Sequence, residues 1–249
     1  MRKTRRRIVA AAAVAASMLG AAALGASPAE ASTRTAAGGA PATFQNVLQL
    51  PASDAAALQA TIDATLRAAH GRDQLGGKQI SQYEISFDKG HVIEAFPAPG
   101  TLIAPPASAA AIGSDAKAQQ YRARAASALA GSARSASGVR KAMGSSSTCP
   151  YSYSTKYYCF YQDRNFDGRR VQFQDYYCPG AIYGPGVPLR LSDYNFDNLA
   201  SSWVNNTNFN IVAYDYYPTS GQMWTEGRVS NATDVYTGYN DRLSSASVC

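Results

Sequence analysis

The six residues Asp197-Asn198-Leu199-Ala200-Ser201-Ser202 recur later in the chain as Asn240-Asp241-Arg242-Leu243-Ser244-Ser245. Both copies begin with a pair of acidic or amide residues and end with two serines. Upstream of each copy, an aromatic residue is followed seven positions later by glycine, first as Tyr161 to Gly168 and then as Tyr214 to Gly221. This internal repeat predicts two copies of one structural unit, each with oxygen-bearing side chains at the same positions.

The region around the repeat is predicted to be all β. Short runs rich in aromatic and β-branched residues are separated there by Gly, Pro, Asn and Asp, which favours strands joined by turns. About 100 residues with turns at this spacing are typical of a compact sandwich. We expect Tyr161 and Phe166 to stack across a hairpin, with Gly168 at a backbone angle that other residues resist. The predicted strands are Tyr157–Tyr161, Arg170–Phe173, Ser202–Asn205, Asn210–Tyr214 and Gln222–Thr225.

The combined pattern resembles the signature of the βγ-crystallin superfamily. Residues 149–249, called the C-terminal segment below, are similar to the bacterial secreted branch of that superfamily, the metalloproteinase-inhibitor-like proteins with two disulfides. The resemblance implies a sandwich of two Greek-key motifs about a pseudo-twofold axis, and a monomeric inhibitor whose partner is an extracellular peptidase. The second hairpin departs from the signature because Thr219 replaces the inner aromatic residue and Pro218 precedes it. We therefore expect a weaker aromatic corner there.

The two repeated loops are candidate calcium ligands. Calcium takes about six to eight oxygen ligands, and the loops offer carboxylate, amide and hydroxyl oxygens. The resemblance implies a paired clamp in which each loop contributes to both ions. With about one carboxylate on each loop, we expect weak binding, with a Kd on the order of 10⁻⁵ to 10⁻³ M. The alternative is that these side chains only cap turns. The candidate ligands are Asp197, Asn198, Ser201, Asn240, Asp241 and Ser244.

All four cysteines, Cys149, Cys159, Cys178 and Cys249, lie in the last 101 residues. In an exported chain this predicts two disulfides. A zinc site is the competing interpretation, but the two histidines of the chain, His70 and His91, lie outside this region. Of the three pairings we favour Cys149 with Cys159, which closes a short hairpin, and Cys178 with Cys249, which holds the C-terminal residue.

Residues 1–31 are predicted to be a signal peptide. A basic start, an alanine-rich apolar run and the small-x-small sequence Ala29-Glu30-Ala31 are typical of export. The apolar run is too weakly hydrophobic for a membrane anchor, so we expect a soluble extracellular protein. Arg5-Arg6-Arg7 also fits a twin-arginine signal loosely, but we prefer the general secretory route.

Residues 32–103 are predicted to form a small helix and hairpin. Ser53 can cap a helix with apolar residues at Leu58, Ile62 and Leu66, and Gly71 can end it. Residues 80–96 alternate as a β-hairpin that turns at 88–90. This module is either a propeptide or a segment that docks on the C-terminal segment, and we prefer the propeptide.

Residues 104–148 have the composition of a low-complexity linker. Residues 116–130 could form a helix, but their alanine content is the only support. Arg140-Lys141, ahead of Gly144, predicts an accessible protease site. We therefore expect a domain that begins near residue 148 to be released.

Charge and side-chain chemistry argue against nucleic-acid binding and against catalysis. The C-terminal segment has seven Lys and Arg against nine Asp and Glu, so the chain's pI of about 9.1 reflects the leader and the middle. After residue 148 there is no histidine, which removes Ser/His and Cys/His nucleophile systems. A carboxylate pair such as Asp163 with Glu226 is the remaining catalytic option. We predict a protein that is not an enzyme.

The inhibitory loop is not evident from the sequence. Residues 176–188 are rich in Pro and Gly and form a conformationally restricted candidate, although a connection between the two Greek keys would explain them equally well. The alternative function is a secreted calcium-binding module that binds a cell envelope or acts as an antimicrobial toxin, since exposed aromatic residues stack on sugars.

Overall fold

The computed structural model describes residues 48–70, 76–134, 146–151, 156–174 and 188–247, and the strands in these ranges form two antiparallel sheets. The helices are α1 Ala52–His70, α2 Ala109–Ile112, α3 Ala116–Arg134 and α4 Tyr236–Tyr239. The strands are β1 Lys78–Ser81, β2 Glu84–Phe87, β3 Val92–Ala95, β4 Tyr157–Tyr161, β5 Arg170–Gln174, β6 Leu189–Arg190, β7 Ser202–Asn205, β8 Ile211–Tyr216, β9 Ser220–Glu226, β10 Ser230–Ala232 and β11 Ser245–Ser247.

One sheet has seven strands in the order β1-β2-β3-β5-β4-β7-β10, and the other has four in the order β6-β11-β8-β9. Apolar residues of both sheets belong to one buried cluster, in which Tyr158 and Phe173 stack with ring centroids 4.9 Å apart. The predicted all-β architecture of the C-terminal segment is confirmed, since its strands lie in two antiparallel sheets. Aromatic side chains of the central strands supply much of its core because each buries a large apolar area.

The N-terminal segment, defined as the described part of residues 48–134, continues the seven-stranded sheet. β3 pairs with β5 from Val92 opposite Phe173 to Ala95 opposite Arg170. Helix α1 adds Leu58 and Ile62 to the buried cluster of the sandwich. The structure shows the helix and hairpin docked on the C-terminal segment, and their removal as a propeptide stays a prediction. The described residues from Leu48 onward accordingly belong to one compact unit.

The expected helix and hairpin are present, with small differences. Helix α1 begins at Ala52, so Ser53 lies in its first turn and not at the N-cap, and its hydroxyl donates to Asp54 Oδ1 at 3.3 Å. The hairpin turns at residues 88–90, where Lys89 has a φ of 55°. Tyr83, Ile85 and Phe87 are all buried, as their alternation predicted.

The segment expected to be a low-complexity linker contains α2 and α3. Helix α3 buries Ala118, Tyr121 and Ala125, and the Tyr121 hydroxyl donates to the Thr148 carbonyl at 2.6 Å. Alanine is the strongest helix former, and Tyr121 links this helix to the short 3-10 turn at residues 146–148. Residues 140 and 141 lie outside the described residues, so the protease site stays a prediction.

The structure joins Cys149 and Cys159 by a disulfide, the first of the two favoured pairs. Cys178, Cys249 and residues 1–31 lie outside the described residues, so the second pair and the signal peptide stay predictions. Within the described ranges, no helix combines the length and the apolar character that crossing a membrane requires.

Candidate functional site

The two repeated loops lie against each other and exchange backbone hydrogen bonds. The Asn198 amide donates to the Leu243 carbonyl at 3.0 Å, and the Asp241 amide donates to the Ala200 carbonyl at 3.3 Å. In both cases the second residue of one loop binds the fourth residue of the other. The sequence repeat is therefore a pseudo-twofold arrangement of the backbone.

Side chains of the two loops are also paired across this axis. The Ser201 hydroxyl donates to Asp241 Oδ1 at 3.1 Å, and the Ser244 hydroxyl donates to Asn198 Oδ1 at 3.2 Å. Each pair combines the fifth residue of one loop with the second residue of the other. Two half-sites result, and each takes oxygen atoms from both loops.

The fifth residue of each loop ties that loop to its own hairpin through the backbone. The Ser201 amide donates to the Tyr161 carbonyl at 2.9 Å, and the Ser244 amide donates to the Tyr214 carbonyl at 3.0 Å. Because Tyr161 and Tyr214 begin the two repeated aromatic patterns, the hairpins and loops form two equivalent units.

The sixth residue of each loop holds the turn of the same hairpin through its hydroxyl. Ser202 Oγ donates to the Asp163 carbonyl at 2.6 Å, while Ser245 Oγ lies 3.2 Å from the Tyr216 carbonyl and 2.9 Å from the Pro218 carbonyl. Both serines are buried. This contact explains why a small hydroxyl residue ends each copy of the repeat.

The two hairpins differ in their aromatic corners, as expected. The rings of Tyr161 and Phe166 meet edge to face, with centroids 5.5 Å apart. In the second hairpin Thr219 is exposed, and Tyr216 is 61% exposed. The glycines that close the hairpins, Gly168 and Gly221, have φ values of 76° and 67°, which only glycine adopts readily.

The first half-site lies in a cavity of about 420 Å³ that carries more acidic groups than the repeat alone predicted. Asp163 and Asp167, from the turn of the first hairpin, line it together with Ser201, Asn240 and Asp241. Asn240 Nδ2 donates to Asp241 Oδ2 at 2.6 Å, and the buried Asn240 Oδ1 has no hydrogen-bond partner in the described part of the chain. The repeated loops did not predict Asp163 and Asp167. The sequence feature that could have indicated them is their position inside the aromatic pattern of the first hairpin.

The second half-site is more open. It consists of Asn198 and Ser244, with Asp197 exposed beside them in the same loop. The nearby cation of the second loop, Arg242, is paired with Asp215 and donates to the Gly238 carbonyl at 2.8 Å. The loop pair is therefore asymmetric, with most of its acidic groups at the first half-site.

The oxygen donors of the two loops are of the types that calcium accepts. In the described part of the chain, no three His, Cys, Asp or Glu side chains converge as a metal site. A cation between the loops would therefore depend on hydroxyl, amide and backbone oxygens as well as carboxylates, which calcium accepts. The unpartnered Asn240 Oδ1 is an oxygen that such a cation would satisfy.

The two carboxylates considered as a catalytic pair do not lie in a common site. Glu226 is fully buried in β9 and accepts a hydrogen bond from Trp224 Nε1 at 3.2 Å, whereas Asp163 is exposed in the hairpin of the other sheet. Burial raises the pKa of Glu226 well above its ordinary value, although the Trp224 hydrogen bond opposes this rise. Most of the candidate inhibitory loop, residues 176–187, lies outside the described residues.

Residues 144–226 match the family model described as peptidase inhibitor family I36. The C-terminal segment is βγ-crystallin-like and similar to this inhibitor family. The match with the inhibitor family contains both aromatic hairpins and the first repeated loop. No curated protein matches the chain.

Solved βγ-crystallin domains are similar to a third of the chain. A double mutant of a domain from Clostridium beijerinckii is 27% identical over 37% of this chain and 94% of that chain, with a TM-score of 0.29. A further structure of a domain from that organism is 22% identical over 36% and 94%, with a TM-score of 0.29. A βγ-crystallin from Ciona intestinalis is 17% identical over 37% and 99%, with a TM-score of 0.29.

Proposed function

We propose that this chain is a secreted inhibitor of an extracellular peptidase and that its target is a metalloproteinase. The observation that carries the proposal is the match of residues 144–226 to a peptidase-inhibitor family. The export pattern of residues 1–31 supports an extracellular location. The target class follows from the resemblance to the bacterial secreted branch of the superfamily.

A preorganised surface favours tight inhibition because less conformational entropy is lost on binding. Both repeated loops are held by each other and by their own hairpins, and the Cys149–Cys159 disulfide ties β4 to the chain ahead of it. A peptidase would thus meet a largely rigid surface.

Calcium is proposed to bind between the loops and to strengthen this rigidity. Ser201, Asn240 and Asp241 would hold one ion beside Asp163 and Asp167, and Asp197, Asn198 and Ser244 would hold the other. A bound cation supplies positive charge to oxygens of both loops at once, so its effect would be to stabilise the folded state by mass action.

The experiment is a stoichiometric inhibition assay of the intact secreted chain against purified metallo-, serine and cysteine peptidases. Calcium is held constant, because a target can itself require it, and the clamp is altered by Asp241→Ala. Arg228→Ala, an exposed change outside the loops, is the matched control. We expect tight inhibition of a metalloproteinase, weakened by the clamp change and unaffected by the control.

Inhibition confined to serine or cysteine peptidases would contradict the proposed target class while keeping the inhibitor function. If the folded chain inhibits none of the peptidases and resists digestion, the inhibitor proposal is wrong. The alternative, an envelope-binding or toxin-like module, would then be tested by binding to purified cell-wall glycans.

A further inference from the structure

The hydrogen-bonded interface between β3 and β5, called the seam below, joins a part of the chain that matches the inhibitor family to a part that does not. β5 lies inside the range that matches the inhibitor family, and β3 lies outside it. The ladder pairs Val92 with Phe173, Ile93 with Gln172, Glu94 with Val171 and Ala95 with Arg170. The N-terminal segment thus occupies an edge that β5 would otherwise present.

The seam is electrostatically complementary. The fully buried Glu94 of β3 lies 3.3 Å from Arg169 Nη1, on the residue that precedes β5. The Arg169 guanidinium is 5.7 Å from the centroid of the Phe96 ring and 5.4 Å from that of Phe196, one ring from each side of the seam. Arg170 Nη1 also donates to the Pro105 carbonyl at 3.1 Å. Arg169, next to β5, therefore faces the one acidic residue of β3, and Arg170 contacts Pro105 elsewhere in the N-terminal segment.

Several polar atoms at this seam are buried and have no hydrogen-bond partner among the residues that the structure describes. They are Oε2 of Glu94, Nε of Arg169, Nη2 of Arg170 and Nε2 of Gln172, whereas Oε1 of Glu94 has the ion pair with Arg169 as its compensation. Each such atom gives up its hydration without full compensation, and most buried polar groups in folded proteins avoid this. Separating β3 from β5 would expose these polar atoms to water. Their hydration would offset part of the free-energy cost of the separation.

We propose that the edge of β5 is an exchangeable docking surface for an extended strand of another protein that carries Asp or Glu beside Arg169, and that residues 92–95 occupy this surface in the intact chain. Recognition combines the backbone ladder with one ion pair, which is the general form of strand addition. The inference does not depend on peptidase inhibition.

The test uses the full secreted chain and a fluorescent peptide with the sequence of residues 90–97, Gly-His-Val-Ile-Glu-Ala-Phe-Pro. The Glu94→Lys variant weakens occupation by the chain's own strand, because it places a lysine beside Arg169. A locked variant, with Ile93→Cys and Gln172→Cys at opposed ladder positions, keeps the strand in place. Binding is measured by fluorescence anisotropy.

We expect the peptide to bind the Glu94→Lys variant and not the oxidised locked variant. A peptide with lysine in place of its glutamate should bind about tenfold more weakly, because it places a second cation beside Arg169. Equal binding of both peptides, or no binding by a folded Glu94→Lys variant, would overturn the proposal.

Hydrogen exchange on the unchanged chain gives a second measurement that needs no variant. If the seam opens, amides that donate across β3 and β5 should exchange faster than those across β4 and β7. Equal protection of the two ladders would also overturn the proposal.

Discussion

Asn198 and Asp241 have the same left-handed backbone conformation, with φ values of 55° and 56°. Asparagine and aspartate tolerate this region better than most residues because their short polar side chains bond locally. The sequence could predict these positions because the conformation and the side-chain oxygen demand the same two residue types. The sequence did not identify Asp163 and Asp167 as neighbours of the loops, since their approach to the loops depends on how the first hairpin packs.

Because the acidic groups are concentrated at the first half-site, we predict that the carboxylates of the two loops contribute unequally to calcium affinity. Removing a carboxylate there by Asp241→Asn should weaken calcium binding by about tenfold or more, because affinity follows the charge of the ligands. Asp197→Asn, the matched change in the other loop, should have a smaller effect. Isothermal titration of both variants measures the difference, and an equal loss would contradict the asymmetry.

Glu94 should make stability depend on pH. Burial raises its pKa from the ordinary 4.5 to about 7, and the nearby Arg169 guanidinium partly opposes this. A raised pKa in the folded state contributes stability that is complete below about pH 4.5 and is lost as the pH rises through about 7. The free energy of unfolding should therefore fall across this window. The fall is at most about 1.4 kcal/mol per unit of pKa shift.

Urea unfolding at pH 5 and pH 8 checks this prediction. The Glu94→Gln variant should show a weaker pH dependence than the unchanged chain, and Asp54→Asn, on the surface of α1, should not. The dependence should not vanish, because burial also raises the pKa values of Glu84 and Glu226. An identical pH dependence in Glu94→Gln would show that Glu94 does not titrate in this window.

Among the elements, the two hairpins are sequence repeats with different energetic roles. Phe166 is 6% exposed and packs on Tyr161, whereas its counterpart Thr219 is exposed. Phe166→Ala should cost about 3 kcal/mol or more, and Thr219→Ala should stay within about 0.5 kcal/mol. Thermal and urea unfolding of the two variants gives the comparison, and similar losses would mean that the second corner is better packed than its exposure indicates.

Strands were predictable where local composition was strong. β4 and β7 have the predicted bounds because aromatic and β-branched residues fill them and turn residues flank them. β1, β10 and β11 were missed, since the sequences Lys78–Ser81, Ser230–Ala232 and Ser245–Ser247 are short and polar and have no period-two pattern. Such strands exist because a neighbouring strand offers them hydrogen bonds, which is information that the local sequence lacks.

For the whole molecule, the shared core predicts that both segments contribute to one stability. Phe87 of the N-terminal segment meets Tyr194 of the C-terminal segment edge to face, with centroids 5.4 Å apart. Phe87→Ala should lower the free energy of unfolding by about 3 to 5 kcal/mol. Trp203 and Trp224 lie in the C-terminal segment, so their fluorescence measures the unfolding of that segment. We expect the loss of stability to appear there as a single transition. Lys89→Ala, an exposed change in the same hairpin, is the control, and a loss confined to the N-terminal segment would contradict the shared core.

This long-range docking could not have been predicted from the sequence. The hairpin of residues 80–96 was recognisable, but its partner strand lies about 80 residues further on, beyond a segment of linker-like composition. Alternation shows that a strand has a buried face and does not show which strand pairs with it.

The position of β1 and β10 at the ends of the seven-stranded sheet has a consequence for solubility. They are four and three residues long, and β1 begins with a lysine, so the outer edges of this sheet are short and partly charged. Without the N-terminal segment, the outermost strand on one side would be β5, which is five residues long and rich in buried residues. An open strand of that kind is a template for self-association and aggregation. The N-terminal segment therefore protects the chain from aggregation for as long as it stays in place.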